Sequence, residues 1–360
     1  MAVEPYVRVL LGPGESILAS IKDVARLAGV SVTTVSRVLS SSPRVDENTR
    51  ARVERAISRI HYRPNLLAQG LRSKKGNVIG LVVPEILHET FATFIKCTER
   101  FCVERGYALI IGSTGGKPEV EGAFIDNLLR RHVDGIIFSR VSDKSRVINI
   151  VEKWNVPAVI VDRALDREDI PTVVLDNYRA GVMAAEHLIA LGHRSLAEVT
   201  GPKDIALARE RHKGFAATLR KHGVLLPAAN VFEGDFKFES GRAAARAFLA
   251  RRLPMTAVWT HNDLMAVGAM NVFLRAGIRI PQELSLVGMD NLSIAEMTVP
   301  SLTTVTQPFE EMCRRAVGMV VAMRAEEDLG EKRVVLPPDI VARESTGPAP
   351  RRGGGKRPGP

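Results

Sequence analysis

A stretch near the amino terminus combines a strong positive charge with polar side chains at helical spacing. Residues 20–76 hold 12 Lys or Arg and 4 Asp or Glu, a net charge of +8, against +10 for the whole chain. The spacing puts Arg37 on the outer face of a predicted helix, where a guanidinium can hydrogen-bond a guanine edge through two N–H groups. The same face carries Val32, Thr33 and Ser36. Charge confined to one small segment predicts contact with nucleic acid.

Three short helices would hold that face in place. Ser20 predicts the start of the first helix, because a serine with Asp23 three residues later forms the capping-box pattern. Gly29 ends this helix, Ser31 can cap the second, and Asp46 can cap the third. Two helices joined by a tight turn that contains glycine predict a helix-turn-helix.

A three-helix bundle that binds another protein is the alternative interpretation of these helices. The charge of +8 argues against it, because a protein interface does not require one sign of charge. Four arginines of the third helix are interpreted as a solvated face rather than as DNA contacts. They are Arg50, Arg52, Arg55 and Arg59.

Beyond Asn77 the pattern changes to short β-branched runs, each about one helix length apart, which is typical of parallel sheets with covered faces. The predicted strands are 78–83, 108–111, 135–138, 158–161, 173–175, 196–200, 231–233, 257–261, 284–288 and 303–306. These are too many strands for one compact sheet, so we predict two α/β lobes. Ligands bind beyond the carboxyl ends of such strands, and two facing lobes therefore predict a cleft.

Short motifs along the chain carry a family resemblance. They are IKDVARLAGVSVTTVSRVLS (21–40), HYRPN (61–65), VIGLVVP (78–84), RHVDGIIF (131–138), LDNYRAG (175–181), RHKGF (211–215), THNDLMAVGAM (260–270), LSLVGMDN (284–291) and PSLTTVTQP (300–308). Together they resemble the lactose/galactose-repressor family of bacterial regulators over residues 20–344, almost without gaps. The resemblance implies a transcription regulator, with repression expected, that binds near-palindromic double-stranded operator DNA as a homodimer or higher oligomer. A small-molecule effector would control it.

The resemblance also implies the fold. An all-α, three-helix helix-turn-helix headpiece (20–63) and a hinge helix with linker (64–76) would precede a two-lobed, periplasmic-binding-protein-like α/β sensor domain with parallel sheets (77–344). Lobe 1 would comprise about 77–175 and 308–335, and lobe 2 about 177–306 and 336–344. The ends are predicted to be a disordered extension (1–19) and a disordered basic tail (345–360), since the tail is rich in Gly, Pro and Arg.

DNA contacts carry over from the family by position. Val32, Thr33 and Arg37 match base-reading positions, and Ser31, Thr34 and Ser36 match positions that contact the DNA backbone or cap the helix. In the hinge helix, Ala68 and Leu71 match minor-groove positions, and the leucine would wedge between base pairs and kink the operator. Gln69 and Gly70 depart from the usual Arg and Ser. Gly70 costs roughly 1 kcal/mol of helix stability, which predicts weaker intrinsic affinity for DNA or a heavier dependence on the dimer, but not loss of function.

Effector contacts carry over in the same way. The matching positions are Phe91, Asp162, Arg211, Phe236, Asn262, Asp290 and Gln307. Acceptors beside one arginine and aromatic walls suit the hydroxyls and ring of a sugar or sugar derivative. Ile205, Leu207 and Thr90 stand where purine-binding members carry Arg, Thr and a stacking Tyr, so a nucleobase or other non-sugar effector is the alternative.

Each of these residues also has a structural interpretation. Asp290 could cap a turn at a strand end, and Phe91 and Phe236 could belong to the core. Arg211 and Asp162 could form one ion pair between the lobes. Asp263 is interpreted as a helix cap rather than as a ligand contact.

Catalysis is not expected. The loop Gly112–Lys117 superficially resembles a phosphate loop, but it has one residue too few between its glycines and Pro118 in place of Ser or Thr. Neither a G-x-S-x-G elbow nor an H-E-x-x-H pair occurs, and the eight histidines are scattered without ligand spacing. We therefore predict a protein without a catalytic site, a cofactor or a bound metal.

A solute-binding protein for uptake shares the two-lobed fold and is the remaining alternative. It would need a signal peptide and would have no use for a basic helix-turn-helix, whereas the first 19 residues lack a basic n-region and a cleavage site. Three cysteines without paired spacing predict buried, reduced thiols. The expected location is the cytoplasm, at the nucleoid, with no membrane association.

Overall fold

In the amino-terminal unit, residues 1–76, the part that the structure describes forms three helices: α1 (Ile21–Ala28), α2 (Val32–Leu39) and α3 (Glu47–Arg59). The computed structural model describes residues 19–39, 42–62, 76–139, 153–163 and 169–350. Ser20 caps α1 in a capping box, the Ser31 hydroxyl accepts a hydrogen bond from the Thr34 backbone N–H (3.1 Å), and Asp46 caps α3. All three predicted helix starts are confirmed.

The core of this unit is small and apolar, and it includes Val24, Ala25, Ala28, Val35, Val38, Val53 and Ala56. Gly29 adopts a left-handed conformation (φ 62°), which permits the tight turn between α1 and α2. Arg52, Arg55 and Arg59 are exposed as predicted. The same prediction is wrong for Arg50, whose largely covered side chain donates a hydrogen bond to the Ser42 carbonyl oxygen (2.9 Å).

The second unit, residues 77–360, alternates strands and helices. In chain order they are β1 (Val78–Val83), α4 (Glu89–Glu104), β2 (Ala108–Ser113), α5 (Pro118–Arg130), β3 (Gly135–Phe138), β4 (Ala158–Val161), β5 (Thr172–Leu175), α6 (Asn177–Ala190), β6 (Leu196–Thr200), α7 (Ala206–Lys221), β7 (Val231–Glu233), α8 (Phe238–Ala250), β8 (Ala257–Thr260), α9 (Asp263–Arg275), β9 (Ser285–Asp290), α10 (Ser293–Met297), β10 (Thr303–Thr306), α11 (Phe309–Arg324), β11 (Arg333–Leu336) and β12 (Ile340–Val341). A short 3₁₀ helix, Ala228–Asn230, precedes β7.

These strands form two six-stranded sheets, one in each lobe. The lobe 1 sheet has the parallel order β11-β5-β4-β3-β1-β2. The lobe 2 sheet has the order β12-β10-β9-β8-β6-β7 and is parallel except for β12, which runs antiparallel to β10. Helices cover both faces, so strands such as β3, β4 and β8 are buried along their whole length.

The chain passes between the two sheets three times, after β5, after β10 and after β11. Because the strands are parallel, their carboxyl ends lie along one edge of each sheet. Residues that follow these ends in the two sheets line one cavity, so the two edges face each other. The predicted two-lobed fold is confirmed, and every predicted strand is present with bounds that differ by at most two residues. The strands β11 and β12 were missed, since both lie at sheet edges and Val334 is the only buried residue in either strand.

The carboxyl-terminal segment corrects one prediction. Ser345 is fully buried, and its hydroxyl donates to the Leu286 carbonyl oxygen (2.6 Å). The Gly347 backbone N–H donates to the Ser285 hydroxyl (3.1 Å) and that of Ala349 to the Leu191 carbonyl oxygen (2.8 Å). A disordered tail beginning at residue 345 is therefore wrong for residues 345–349, because these small residues complete the hydrogen bonding of lobe 2.

Two further expectations concern burial. Cys97, Cys102 and Cys313 are buried free thiols, as predicted. Among the helices that the structure describes, none combines the length and the apolar character needed to cross a bilayer.

The helices α6 and α7 approach each other through two glycines. A Cβ built on Gly181 would lie 2.1 Å from the Arg211 carbonyl oxygen, and one on Gly214 would lie 2.0 Å from the Tyr178 carbonyl oxygen. Backbone atoms at these distances leave no room for a methyl group. The glycines therefore allow α6 to hold the backbone of α7 in place.

We expect Gly181→Ala to lower the free energy of unfolding by about 1–3 kcal/mol, because α6 and α7 must move apart to admit the methyl group. Gly318→Ala in α11 is the control. A Cβ there meets no atom within 4 Å, and alanine should stabilise the helix by about 0.5–1 kcal/mol. Urea unfolding of the full-length protein measures both. Stabilisation by both substitutions would contradict the packing argument.

Candidate functional site

A cavity of about 260 Å³ lies between the two lobes, at the carboxyl ends of strands of both sheets. Its walls come from residues at or beyond the ends of β1, β2 and β4 in lobe 1 and of β6 to β10 in lobe 2. All seven residues predicted to contact an effector line this one cavity: Phe91, Asp162, Arg211, Phe236, Asn262, Asp290 and Gln307. Residues that are as many as 216 positions apart along the chain therefore meet at one site.

Asp290, the last residue of β9, joins the two lobes. One carboxylate oxygen accepts a hydrogen bond from the Gln307 amide (2.6 Å), and the other accepts from the Thr90 hydroxyl of lobe 1 (3.1 Å). Its backbone has φ 116°, a conformation that costs free energy and that clusters at functional sites. Burial raises the pKa of Asp290, and the nearby Arg211 guanidinium acts in the opposite direction. The side chain bridges the lobes rather than capping a turn.

Arg211 of α7 supplies the buried positive charge of the cavity, with 2% of the residue exposed. Its Nε donates to the Asn177 side-chain oxygen (2.8 Å) and its Nη1 to the His261 carbonyl oxygen (2.6 Å). Burial lowers the pKa of this guanidinium, and the charges of Asp290 and Asp162 oppose that change. Arg211 is therefore both anchored to lobe 2 and balanced by two carboxylates.

Asp162 lies on the lobe 1 side of the cavity in a left-handed conformation (φ 67°). Its carboxylate accepts a hydrogen bond from the Ser139 hydroxyl (3.3 Å) and forms a salt bridge with the adjacent Arg163 (3.7 Å). Its salt bridge is thus made within lobe 1, and the alternative of an Arg211–Asp162 ion pair between the lobes is not favoured.

Asn262 caps the amino terminus of α9 and also faces the cavity. Its side-chain oxygen accepts from the Met265 backbone N–H (2.9 Å), and its side-chain nitrogen donates to the Phe236 carbonyl oxygen (2.7 Å). The prediction that Asp263 is the helix cap is wrong. Asp263 is fully buried, where it accepts hydrogen bonds from the Leu292 backbone N–H (2.8 Å) and from a threonine hydroxyl (2.6 Å).

Two phenylalanines form apolar walls on opposite lobes. Phe91 is 6% exposed and belongs to the lobe 1 core as well as to the cavity wall, so both interpretations of this residue apply. Phe236 adopts φ 66°, and its ring lies against Gly201, where a Cβ would come within 2.1 Å of a ring carbon. The glycine thus allows the Phe236 ring to lie flat against the backbone that follows β6.

His88 belongs to this site, although the sequence analysis did not single it out. Its Nε2 lies 3.3 Å from the Phe236 carbonyl oxygen and 3.4 Å from the Asn262 side-chain nitrogen, both in lobe 2. Its Nδ1 is buried without a hydrogen-bond partner, and so is the Gln307 Oε1. Two such atoms beside one cavity indicate a polar ligand, because an unpaired buried polar group is costly. The signal that could have found His88 in the sequence is its position shortly after β1, because ligands bind beyond the carboxyl ends of such strands.

The outer face of α2 carries the predicted DNA-reading side chains. Thr33 and Arg37, four residues apart, are exposed, whereas Val32 and Ser36 are partly covered. The Ser31 hydroxyl also lies 2.9 Å from the Thr34 hydroxyl, so these two side chains contact each other at the amino terminus of α2. The predicted hinge contacts Ala68 and Leu71 lie outside the residues that the structure describes.

A basic helix-turn-helix and a two-lobed ligand cleft define a ligand-responsive DNA-binding regulator, and comparison with known proteins agrees. Residues 20–65 match the family of bacterial regulatory proteins called lacI, and residues 185–346 match the periplasmic binding protein-like domain. The transcriptional regulator DegA of Bacillus subtilis (strain 168) is 33% identical over 91% of this chain and 98% of its own length. The ribose operon repressor of Escherichia coli (strain K12) is 32% identical over 91% of this chain and 100% of its own.

Solved structures agree as well. The lac repressor dimer bound to operator and the anti-inducer ONPF matches with a TM-score of 0.84 and 28% identity, covering 92% of this chain and 99% of that one. The chain belongs to the lacI family of bacterial regulatory proteins. The predicted family, fold and DNA-binding regulatory function are thereby confirmed, and the relatives are transcriptional regulators rather than enzymes.

Proposed function

We propose that this protein is a repressor that binds operator DNA as a homodimer, and that a sugar or sugar derivative bound between its lobes controls the affinity for DNA. The single observation that carries the effector assignment is the cavity itself. It gathers carboxylates, amides and the buried Arg211 between two aromatic walls, and two of its lining residues, His88 and Gln307, each have a buried polar atom without a hydrogen-bond partner. A sugar hydroxyl can donate and accept, so it suits such mixed partners.

The lining favours a sugar over a nucleobase. Ile205 and Leu207 give one wall of the cavity an apolar surface without donors for a purine. Thr90 is short, and its hydroxyl is already committed to Asp290, so it offers neither a stacking ring nor a free donor. The names of two relatives, the ribose operon repressor and the transcriptional regulator CelR solved in complex with cellobiose, contain sugars and support the same class of effector.

The contacts between the lobes suggest how occupancy is transmitted. In lobe 1, Thr90 and His88 hydrogen-bond Asp290 and the Phe236 carbonyl of lobe 2 at the edge of the cavity. A ligand that competes with these bonds or adds to them changes the relative stability of open and closed lobes. A shift in the populations of the open and closed forms then changes how the two headpieces of a dimer bind DNA.

In the headpiece we assign base reading to Val32, Thr33 and Arg37, and backbone contacts to Ser31, Thr34 and Ser36. Ala68 and Leu71 of the hinge are assigned to the minor groove. The protein acts in the cytoplasm at the nucleoid and carries no catalytic site. The polar and basic face of α2 supports this assignment, because phosphate contacts position such a helix while side chains read base edges.

Calorimetric titration of the full-length protein with D-ribose, cellobiose and hypoxanthine tests the effector class. We expect a sugar to bind and hypoxanthine not to bind. Gln307→Leu should weaken sugar binding by up to about tenfold, because it removes a hydrogen-bond acceptor. Gln282→Leu, at an exposed position of the same lobe, should leave it unchanged.

Two outcomes would overturn the proposal. Binding of hypoxanthine without either sugar would reject the sugar assignment. A protein that prefers no site near its own gene over scrambled duplex, with or without sugar, would reject operator control.

A further inference from the structure

A fully buried carboxylate, Glu198, lies in β6 of lobe 2, among strand residues that are otherwise mostly apolar. Burying an ionised carboxylate costs several kcal/mol unless other groups hydrogen-bond it and balance its charge. Glu198 does not line the cavity between the lobes. The groups that hydrogen-bond Glu198 therefore indicate the role of its charge.

Two histidines hold this carboxylate, one on each oxygen. His261 Nε2 lies 2.8 Å from Oε1, and His212 Nδ1 lies 2.7 Å from Oε2. The Gly201 backbone N–H donates to His261 Nδ1 (3.1 Å), so that nitrogen carries no proton. His261 is thus the neutral tautomer that donates through Nε2, and the order of contacts is Gly201, His261, Glu198, His212.

The charges along this chain of contacts can be assigned. Burial would raise the pKa of Glu198, but hydrogen bonds from His212 and His261 outweigh it and hold that pKa below its ordinary value. Burial lowers the pKa of His261, whereas the hydrogen bond to Glu198 raises the pKa of His212. Glu198 therefore carries the charge and His261 is neutral. His212, whose side chain is 42% exposed, is the member of this chain of contacts whose protonated form the carboxylate favours.

Several other charged groups lie near His212, and on α7 itself Glu210 and Lys213 pair with each other (2.6 Å). Beyond β6, Lys203 opposes the protonation of His212, and this lysine forms a salt bridge with Glu233 of β7 (3.1 Å). Arg211, next to His212 on α7, opposes protonation of His261. On α6, which packs against α7, Arg179 and Glu186 pair with each other (3.5 Å). Glu198 is therefore the main countercharge of His212.

The inner end of this chain of contacts reaches three parts of the cavity wall. The His261 carbonyl accepts the Arg211 hydrogen bond, and Asn262 is the next residue along the chain. Gly201 supports the Phe236 ring and begins the loop that carries Ile205. A solvent-exposed proton is thus connected, through four hydrogen-bonded groups, to the side chains around the cavity.

We propose that His212, Glu198 and His261 form a proton-dependent positioning relay that fixes the lobe 2 wall of the effector cleft. Loss of the proton from His212 leaves the buried Glu198 carboxylate without a countercharge. The hydrogen bonds of His261 then rearrange, and with them the Arg211 guanidinium and the Gly201 backbone. The positioning effect rests on the structure alone, whereas its consequence for sugar affinity rests on the proposed function.

The direction of the pH effect follows from linkage. A raised pKa in the folded state gives His212 a stabilising contribution that is complete below the ordinary histidine pKa and is lost as pH rises through the raised value. In the proposed relay the protonated form holds the wall in the position that binds the effector, so effector affinity should fall as pH rises through the His212 midpoint. We expect a decrease of about fivefold or more.

Nuclear magnetic resonance of the ligand-free, full-length protein tests the relay without any effector. With ¹³C-labelled histidine, the midpoint of His212 should lie above the ordinary histidine pKa, and His261 should stay neutral while His212 titrates. His222, the exposed residue that caps the carboxyl terminus of α7, provides the control position. The Arg211 Nε–H signal should move with the midpoint of His212.

Variants separate the relay from simple packing. In His212→Gln the Arg211 signal should no longer depend on pH, whereas in His222→Gln it should behave as in the parent protein. Glu198→Gln should lower the His212 midpoint, because it removes the carboxylate that favours the protonated imidazole. If Glu198→Gln does not fold, His212→Gln still tests the relay, because His212 lies at the exposed end of the chain of contacts. An Arg211 Nε–H signal that does not change as His212 titrates would overturn the proposal.

Titration with D-ribose across the same pH range adds the functional readout. The dissociation constant should rise at the His212 midpoint in the parent protein and in His222→Gln, and should stay level in His212→Gln. Binding without such a step would overturn the link to affinity. Absence of D-ribose binding at every pH, with the Arg211 signal still following His212, would support the relay and count against the effector class.

Discussion

Replacing Arg211 by methionine should lower the free energy of unfolding by about 3–5 kcal/mol and abolish effector binding. Methionine fills much of the same volume but supplies no charge and no donor. The Asn177 side-chain oxygen and the His261 carbonyl then lose their donor, and the carboxylates of Asp290 and Asp162 lose the nearby buried charge. Urea unfolding and calorimetric titration with D-ribose and cellobiose measure the two effects.

Arg220→Met is the matched control, because Arg220 lies on the same helix and is exposed. A surface substitution of this kind should change stability by no more than about 0.5 kcal/mol and should leave sugar binding intact. Arg211→Lys keeps the charge but loses the forked geometry, so it should recover part of the stability and little of the binding. Equal stability of Arg211→Met and Arg220→Met would contradict the assigned role of the buried guanidinium.

Much of the sensor fold could be predicted because its strands are buried on both faces. Continuous runs such as those of β1 and β4 leave a strong apolar pattern, and the predicted bounds of both strands match the structure. The strands at the sheet edges do not leave this pattern. β11 alternates exposed and buried residues, and β12 has only two residues, so their pairing depends on contacts made elsewhere in the fold.

The seven predicted cleft residues came from matching positions in a known family, and the structure brings them together around one cavity. The residues that hold them in place had no comparable pattern. Glu198 and His261 are 63 residues apart, and a single glutamate inside a strand carries no motif. The error over Asp263 has the same origin, since Asn262 and Asp263 are both good capping residues. Only the fold shows which of them faces the helix end.

In the headpiece, Arg37→Ala should reduce affinity for the operator by about 5- to 150-fold, because a bidentate contact with a base contributes about 1–3 kcal/mol of discrimination. Affinity for random duplex should change little, since phosphate contacts dominate that binding. Arg55→Ala, an exposed arginine of α3, is the control and should affect both duplexes alike. Fluorescence anisotropy of the parent protein and both variants with operator and scrambled duplexes, at a fixed salt concentration, gives the six affinities. An equal loss on both duplexes for Arg37→Ala would show that this arginine contacts phosphate, and base reading would then have to lie with Val32 and Thr33.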